Sequence, residues 1–196
     1  PNLGNSFAGN HKPKELGFNP KVLKGISEKL ILSHWENNYQ GSIKALNGIE
    51  TKIAALLKEK DVPAYFYGGL KREQQMRTGS IVLHEHYFQN LGGDGKPAGQ
   101  ILKSLESSFG TFDLWIEDVK RTAMSLAGGT GWVVLSFNWH THQLENYWLQ
   151  DHTNQPPGSI PLLVLDMYEH SYQMDYGSAA AKYIDAFFTN INWEVV

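Results

Sequence analysis

Residues 131–149, Gly131-Trp132-Val133-Val134-Leu135-Ser136-Phe137-Asn138-Trp139-His140-Thr141-His142-Gln143-Leu144-Glu145-Asn146-Tyr147-Trp148-Leu149, decide the fold class. Before this stretch, apolar residues recur every three or four positions. Within it, that period gives way to β-branched and aromatic residues on either side of a short polar turn, Trp139 to His142. Residues 132–137 and 144–149 therefore read as paired strands. A third strand, Ile160 to Leu165, ends on Asp166, and a helix from Ala179 to Phe188 closes the chain. Moving back toward the N-terminus, Thr111 is placed to cap a helix through Trp115, Val119 and Met124. Ile101, Leu102, Leu105 and Phe109 form the helical stripe before it. Helices, three short strands and a final helix give an α+β class with an antiparallel sheet.

Further upstream, residues 1–20 read as an irregular arm. Ser27 is a plausible N-cap for a helix carrying Ile31, His34, Trp35, Tyr39, Ile43 and Leu46 on one stripe. The pattern continues through Ile53, Leu56 and Leu57 after an expected break near Asn47-Gly48, and Asp61-Val62-Pro63 ends it. Tyr67-Gly68-Gly69 reads as a loop. A second helix carries Ile81, Leu83, His84, Tyr87, Phe88 and Leu91, and stops at the Gly92 to Pro97 cluster. The division expected is an arm at 1–20, a helical unit at 21–92 and an α+β unit at 93–196.

A chain of 196 residues buries roughly 70% of the surface that it exposes when unfolded, enough for a core without staples. The absence of cysteine excludes disulfides, thiolate metal sites and cysteine nucleophiles, so any metal must sit on nitrogen and oxygen. A net charge of −3 argues against a nucleic-acid partner. No apolar run approaches the ~20 residues of a membrane span. The polar N-terminus is not a signal peptide. The compartment expected is the cytoplasm, or outside it if a leader was trimmed before Pro1.

Of the eight histidines, His11, His140, His142 and His152 lie in the arm, turns or loops and read as surface residues. His84 and His86 are two apart on a helix, about 200° around its axis, so only one faces inward. His84 shares the face of Ile81 and Phe88. Taken alone, His34 on its apolar stripe reads more readily as a hydrogen-bonded core residue than as a ligand. Asp166, at the end of a buried strand, needs a partner or a cation. His170 follows four residues later, and the pair reads equally well as structural or functional. Imidazoles with one carboxylate make a donor set suited to iron, manganese or zinc.

LLVLDMYEHSYQMDY, followed by INWE, resembles the C-terminal signature of the iron/manganese superoxide dismutases, D-x-W-E-H-x-Y. His34 with Leu46-Asn47 is similar to the family's first helix, and His84 to Leu91 to its N-H-x-x-x-W-x-x-L segment. Ser108-Phe109-Gly110 and Gly129-Thr130-Gly131-Trp132 match its S-F-G and G-S-G-W elements. The resemblance implies an N-terminal helical hairpin packed on a C-terminal half that holds the sheet. It also implies one iron or manganese ion on His34, His84, Asp166 and His170. Gln150, sixteen residues before Asp166, matches the glutamine that manganese-type members turn toward the metal's solvent; iron-type members place theirs where this chain has Ser80. Manganese is thus slightly favoured. Tyr168 and Glu169 complete the implied catalytic surroundings.

The implied substrate is superoxide, converted to oxygen and hydrogen peroxide by alternating trivalent and divalent metal. One carboxylate with hydroxide on a trivalent ion, or with water on a divalent one, leaves the same net charge, so the buried site avoids a repeated penalty. The implied assembly is a homodimer in which Glu169-His170 bridges to the partner. Several family positions differ. The gateway tyrosine falls at Ser42 and its neighbouring histidine at Asn38. The tyrosine that contacts this histidine falls at Gln173, and the funnel arginine at Ala180. The tryptophans of D-x-W-E-H, of the second helix and of G-W-x-W fall at Tyr168, Phe88 and Val134. Loss of the funnel arginine predicts weaker steering and lower turnover. Two rivals use the same site: another redox reaction with a larger substrate, or a metal-binding protein without turnover.

Overall fold

Ser27 starts the first helix as its position predicts, with its hydroxyl accepting from the Leu30 N–H at 3.1 Å. The computed structural model describes residues 4–196, and the first three residues of the expected arm lie outside the described residues. Helix α1 (Glu28–Ser33) runs into a π-helical segment at His34–Tyr39, and α2 (Gln40–Leu56) follows. The break expected near Asn47-Gly48 is not there. The irregularity comes eight residues or more earlier, in the wider turn that carries His34.

Helix α3 (Ala64–Gln89) begins directly after Pro63 and packs against α2. Tyr67-Gly68-Gly69, expected as a loop, lies inside it. Two glycines weaken a helix by only about 1 kcal/mol each relative to alanine, which a helix of 26 residues docked on its neighbours absorbs.

Asn47 has a different task from the one expected. Its Oδ1 accepts from the His11 N–H (2.9 Å) and its Nδ2 donates to the His11 carbonyl (3.0 Å), so it holds the arm. Buried Glu50 accepts from the Gly9 N–H (3.0 Å) and lies 2.9 Å from His11 Nε2. Further along, the Lys14 N–H donates to the Tyr39 hydroxyl and its ammonium pairs with Glu85. The arm is strapped across α2 and α3.

The second half opens with α4 (Gly99–Phe109) and α5 (Phe112–Met124), the latter capped by Thr111. Strands β1 (Trp132–Asn138), β2 (Gln143–Leu149) and β3 (Ser159–Asp166) form an antiparallel sheet in the order β2-β1-β3. The short α6 (Gln173–Tyr176) and α7 (Ala180–Thr189) complete the chain. The register sets Trp132 opposite both Leu149 and Asp166. Asn90, buried just past the end of α3, donates to the Leu162 carbonyl (3.0 Å) and accepts from the Val164 N–H (2.9 Å). That amide acts as an extra rung and holds α3 on β3. One continuous core of aliphatic side chains, with Trp115, Trp132, Tyr87, Tyr172 and Tyr183 fully buried, joins the helices to the sheet.

Candidate metal centre

Four ligand-type residues converge where α3 crosses β3. His34 comes from the π-helical segment, His84 from α3, Asp166 from the last position of β3 and His170 from the single turn Glu169–Ser171. One ligand atom from each lies within 4.8 Å of the other three. Asp166 Oδ2 is 3.1 Å from His34 Nε2, 3.7 Å from His84 Nε2 and 3.1 Å from His170 Nε2. Ligand atoms at about 2.1 Å from a common ion would lie about 3.0 Å apart when adjacent and about 4.2 Å apart when opposite. The observed spacings need contractions of only a few tenths of an ångström.

The chemistry of these atoms also fits a cation. His84 Nδ1–H donates to the Ser80 carbonyl at 2.7 Å, which leaves its Nε2 as a lone pair. That Nε2, like His34 Nε2, is buried without a hydrogen bond; the 3.1 Å approach of His34 Nε2 to Asp166 is not aligned for one. Burial lowers the pKa of both rings, that of His84 to about 3, so both are neutral donors at pH 7. Burial alone would raise the Asp166 carboxyl. The charge of His170 and its 3.1 Å hydrogen bond to Oδ2 outweigh it and hold the group well below the usual carboxylate range. The Tyr168 N–H donates to Asp166 Oδ1 (2.8 Å), and the Tyr183 and Ser171 hydroxyls both donate to its carbonyl (2.9 Å each). Phe88, Tyr87 and Trp132 wall His34 and His84 off from water, while His170 stays half-buried.

The other expected site residues scatter. Tyr168 is half-buried, with its ring stacked on His170 (5.3 Å between centroids) and on His152 (5.0 Å). Glu169 is exposed, and its carboxylate has no hydrogen bond among the described residues. Gln150 does not join the cluster. It is exposed, and only its carbonyl is engaged, accepting from Thr130 Oγ1 at 2.9 Å. Leu149 is fully buried opposite Trp132, so the next side chain along the strand turns outward.

His152, expected as a surface loop residue, stands near the cluster instead. Its Nδ1 accepts from Trp132 Nε1–H at 3.0 Å, so the ring carries its proton on Nε2, and its centroid lies 6.2 Å from that of His84. Burial lowers its pKa. The available signal was His152 lying two residues beyond Gln150 in a loop that returns to β3. Ser42 and Ser80, both buried, share a 2.8 Å hydrogen bond beside His84, and Ala180 is buried and apolar.

Gly79 fixes this arrangement. A Cβ there would come within 1.8 Å of the His152 carbonyl oxygen, so the loop rests directly on α3. Gly79→Ala is expected to push the loop off the helix and destabilise the protein by about 1–3 kcal/mol, roughly 2–12 °C in Tm at this chain length. A shifted Trp132 indole N–H resonance would report the broken bond to His152. An unchanged Tm and resonance would contradict the contact.

Residues 97–196 match the family described as iron/manganese superoxide dismutases, C-terminal domain. A protein of Cupriavidus metallidurans named superoxide dismutase (Fe) is 44% identical over 94% of this chain and 93% of its own length. One of the same name from Aquifex pyrophilus is 36% identical over 96% of this chain and 91% of its own. A superoxide dismutase (Mn) of Haloarcula marismortui is 32% identical over 86% and 82%.

Proposed function

The chain belongs to the iron/manganese superoxide dismutases, and on that footing we propose that His34, His84, Asp166 and His170 hold its redox metal. The protein is a metal-dependent superoxide dismutase, converting superoxide to oxygen and hydrogen peroxide, with one iron or manganese ion as cofactor. The observation that carries the ligand assignment is the pair of buried ring nitrogens, His34 Nε2 and His84 Nε2, facing the Asp166 carboxylate without a hydrogen bond. The helical half (21–92) supplies two of these ligands and the α+β half (93–196) the other two.

When bound, the ion supplies a one-electron couple that oxidises one superoxide and reduces a second, which takes up two protons. The chain's own residues set the conditions. Asp166 would cancel one unit of cationic charge while the neutral imidazoles add none, which lowers the cost of holding the ion in a buried site. The Tyr168 N–H holds one carboxylate oxygen of Asp166, and the Tyr183 and Ser171 hydroxyls anchor its backbone carbonyl. Trp132, Tyr87 and Phe88 exclude bulk water, which strengthens each remaining electrostatic contact. His152, with its proton on Nε2 and Trp132 behind it, is the group suited to hydrogen-bond the metal's solvent, the task expected of Gln150. The slight preference for manganese rested on Gln150, and the exposure of that side chain withdraws its support.

The ligand set is tested by metal analysis and X-ray absorption of the protein loaded with iron or manganese. Three nitrogen donors and one carboxylate oxygen are expected, and loss of a histidine shell in His34→Ala. An unchanged spectrum in that variant would overturn the assignment.

The same reading includes a homodimer. His170 retains 27% side-chain exposure and Glu169 lies open beside it, which suits a carboxylate from one protomer accepting from the partner's metal-bound imidazole. Asn38 and Gln173, both amides, are able to pair across the two-fold. Sedimentation at micromolar concentration is expected to give a dimer, weakened at least about tenfold in Glu169→Ala. A monomeric wild-type protein would contradict this.

A further inference from the structure

The substrate is an anion, and the position where the family resemblance expects a guiding cation holds Ala180, which is buried and apolar. Positive charge lies elsewhere. An open cleft of about 660 Å³ runs between α3 and the loop after β2. Its helix side carries Lys71, Arg72, Thr78 and Gly79; His152 and Thr153 stand across from them. Lys71 and Arg72 bring two positive charges to the lining, and no carboxylate lines it. Glu73, the nearest acid on the helix, is turned toward Arg77, whose Nη2 lies 3.3 Å from it, and is 4.0 Å from Arg72. Arg77 is half-buried and paired with Glu73.

The inner end of the cleft is His152 itself. Its ring is both part of the lining and 6.2 Å from that of His84, and Gly79 lets its loop lie flush on the helix. An opening lined by two cations and no carboxylate thus includes His152, an imidazole packed between the cleft and the ligand cluster beside Trp132 and Tyr168.

We propose that this cleft is the route by which small anions reach the metal centre, with Lys71 and Arg72 steering them and His152 forming the inner gate. The inference rests on the dismutase reading of the site and deepens it, for it moves the guiding charge from position 180 to α3. Charges at a rim act through long-range attraction, so their effect is large at low ionic strength and fades as the Debye length falls from about 30 Å at 0.01 M to about 3 Å at 1 M.

The test is stopped-flow association of azide, a monoanion like superoxide, with the iron-loaded protein, followed by the visible absorption of the complex. Lys71→Gln/Arg72→Gln is expected to slow association about three- to tenfold at 10 mM ionic strength and to match wild type in 1 M salt. Lys103→Gln/Lys182→Gln makes the same change in net charge at exposed positions on α4 and α7, and is expected to have little effect. Thr78→Trp, placed in the cleft on the exposed side of α3, is expected to slow association at every salt concentration. Equal rates in wild type and the first variant, equal slowing in the α4/α7 control, or no effect of Thr78→Trp would each overturn the cleft as the route. Superoxide decay is read separately. Charge-dependent azide association without superoxide decay would keep the route and overturn the dismutase reading, whereas decay with unaltered azide kinetics would do the reverse.

Discussion

Asp166→Asn is expected to leave the fold standing while metal affinity falls by at least about 100-fold and superoxide decay falls with it. The asparagine keeps an oxygen for the Tyr168 N–H, and its backbone carbonyl still accepts from the Tyr183 and Ser171 hydroxyls. What changes is the atom facing the histidines. An amide nitrogen would stand where Oδ2 now lies, 3.1 Å from His34 Nε2 and 3.7 Å from His84 Nε2, and would donate hydrogen bonds to the lone pairs that the metal requires. The site would also lose its only carboxylate, leaving a multiply charged ion uncompensated in a dry interior. Metal content per chain, measured beside circular dichroism, checks both halves of this expectation. A folded variant that retains its metal and its activity would show that Asp166 is not a ligand.

Removing the metal from the native protein is expected to give the second large effect. The four ligands come from α3, β3 and the turns after α1 and β3, so one ion ties together elements distant in sequence. Free metal at about 1,000 times its Kd stabilises the folded state by about 4 kcal/mol, which is about 8–16 °C in Tm for a chain of this length. The metal-free protein is also expected to be acid-sensitive in a defined window. His84 ordinarily titrates near 6.5 and is pushed to about 3 when buried, and His34 is lowered too. Between those values the unfolded chain binds protons that the folded one refuses, so stability falls as pH drops from about 6.5 toward 3. Below the ordinary range of a carboxylate, Asp166 acts in the same direction, because its folded-state pKa is depressed. Thermal melts of metal-free and metal-loaded protein at pH 7.5 and pH 5 measure both effects. Equal Tm values with and without metal would contradict the first, and a metal-free protein more stable at pH 5 the second.

Much of this was legible in the residues because it rests on period and capping. Ser27 and Thr111 cap their helices through side-chain oxygens, and the β-branched and aromatic stretches from Trp132 to Leu149 pair as expected around the turn at Trp139 to His142. The four ligands were visible through resemblance more than through chemistry, since His34 by itself looked like any histidine on an apolar stripe. Three features escaped because they depend on tertiary contact. The π-helical segment at His34–Tyr39 leaves the apolar spacing intact, so nothing in the pattern marks it. Tyr67-Gly68-Gly69 has the composition of a turn, yet is carried along in a helix held by its neighbours. Position 150 was assigned by counting back from Asp166, but the pleat that buries Leu149 turns Gln150 outward, and a loop seated on Gly79 brings His152 in. Counting along the chain does not show which way a strand's last side chain points.

The central claim is that the four-residue centre turns over superoxide. Its most direct test is the superoxide decay rate of the protein loaded separately with iron and with manganese, beside His84→Ala treated in the same way. The predicted result is rapid decay with at least one of the two metals, abolished by the substitution. Metal bound at this centre without superoxide decay, or decay that survives the loss of His84, would contradict it.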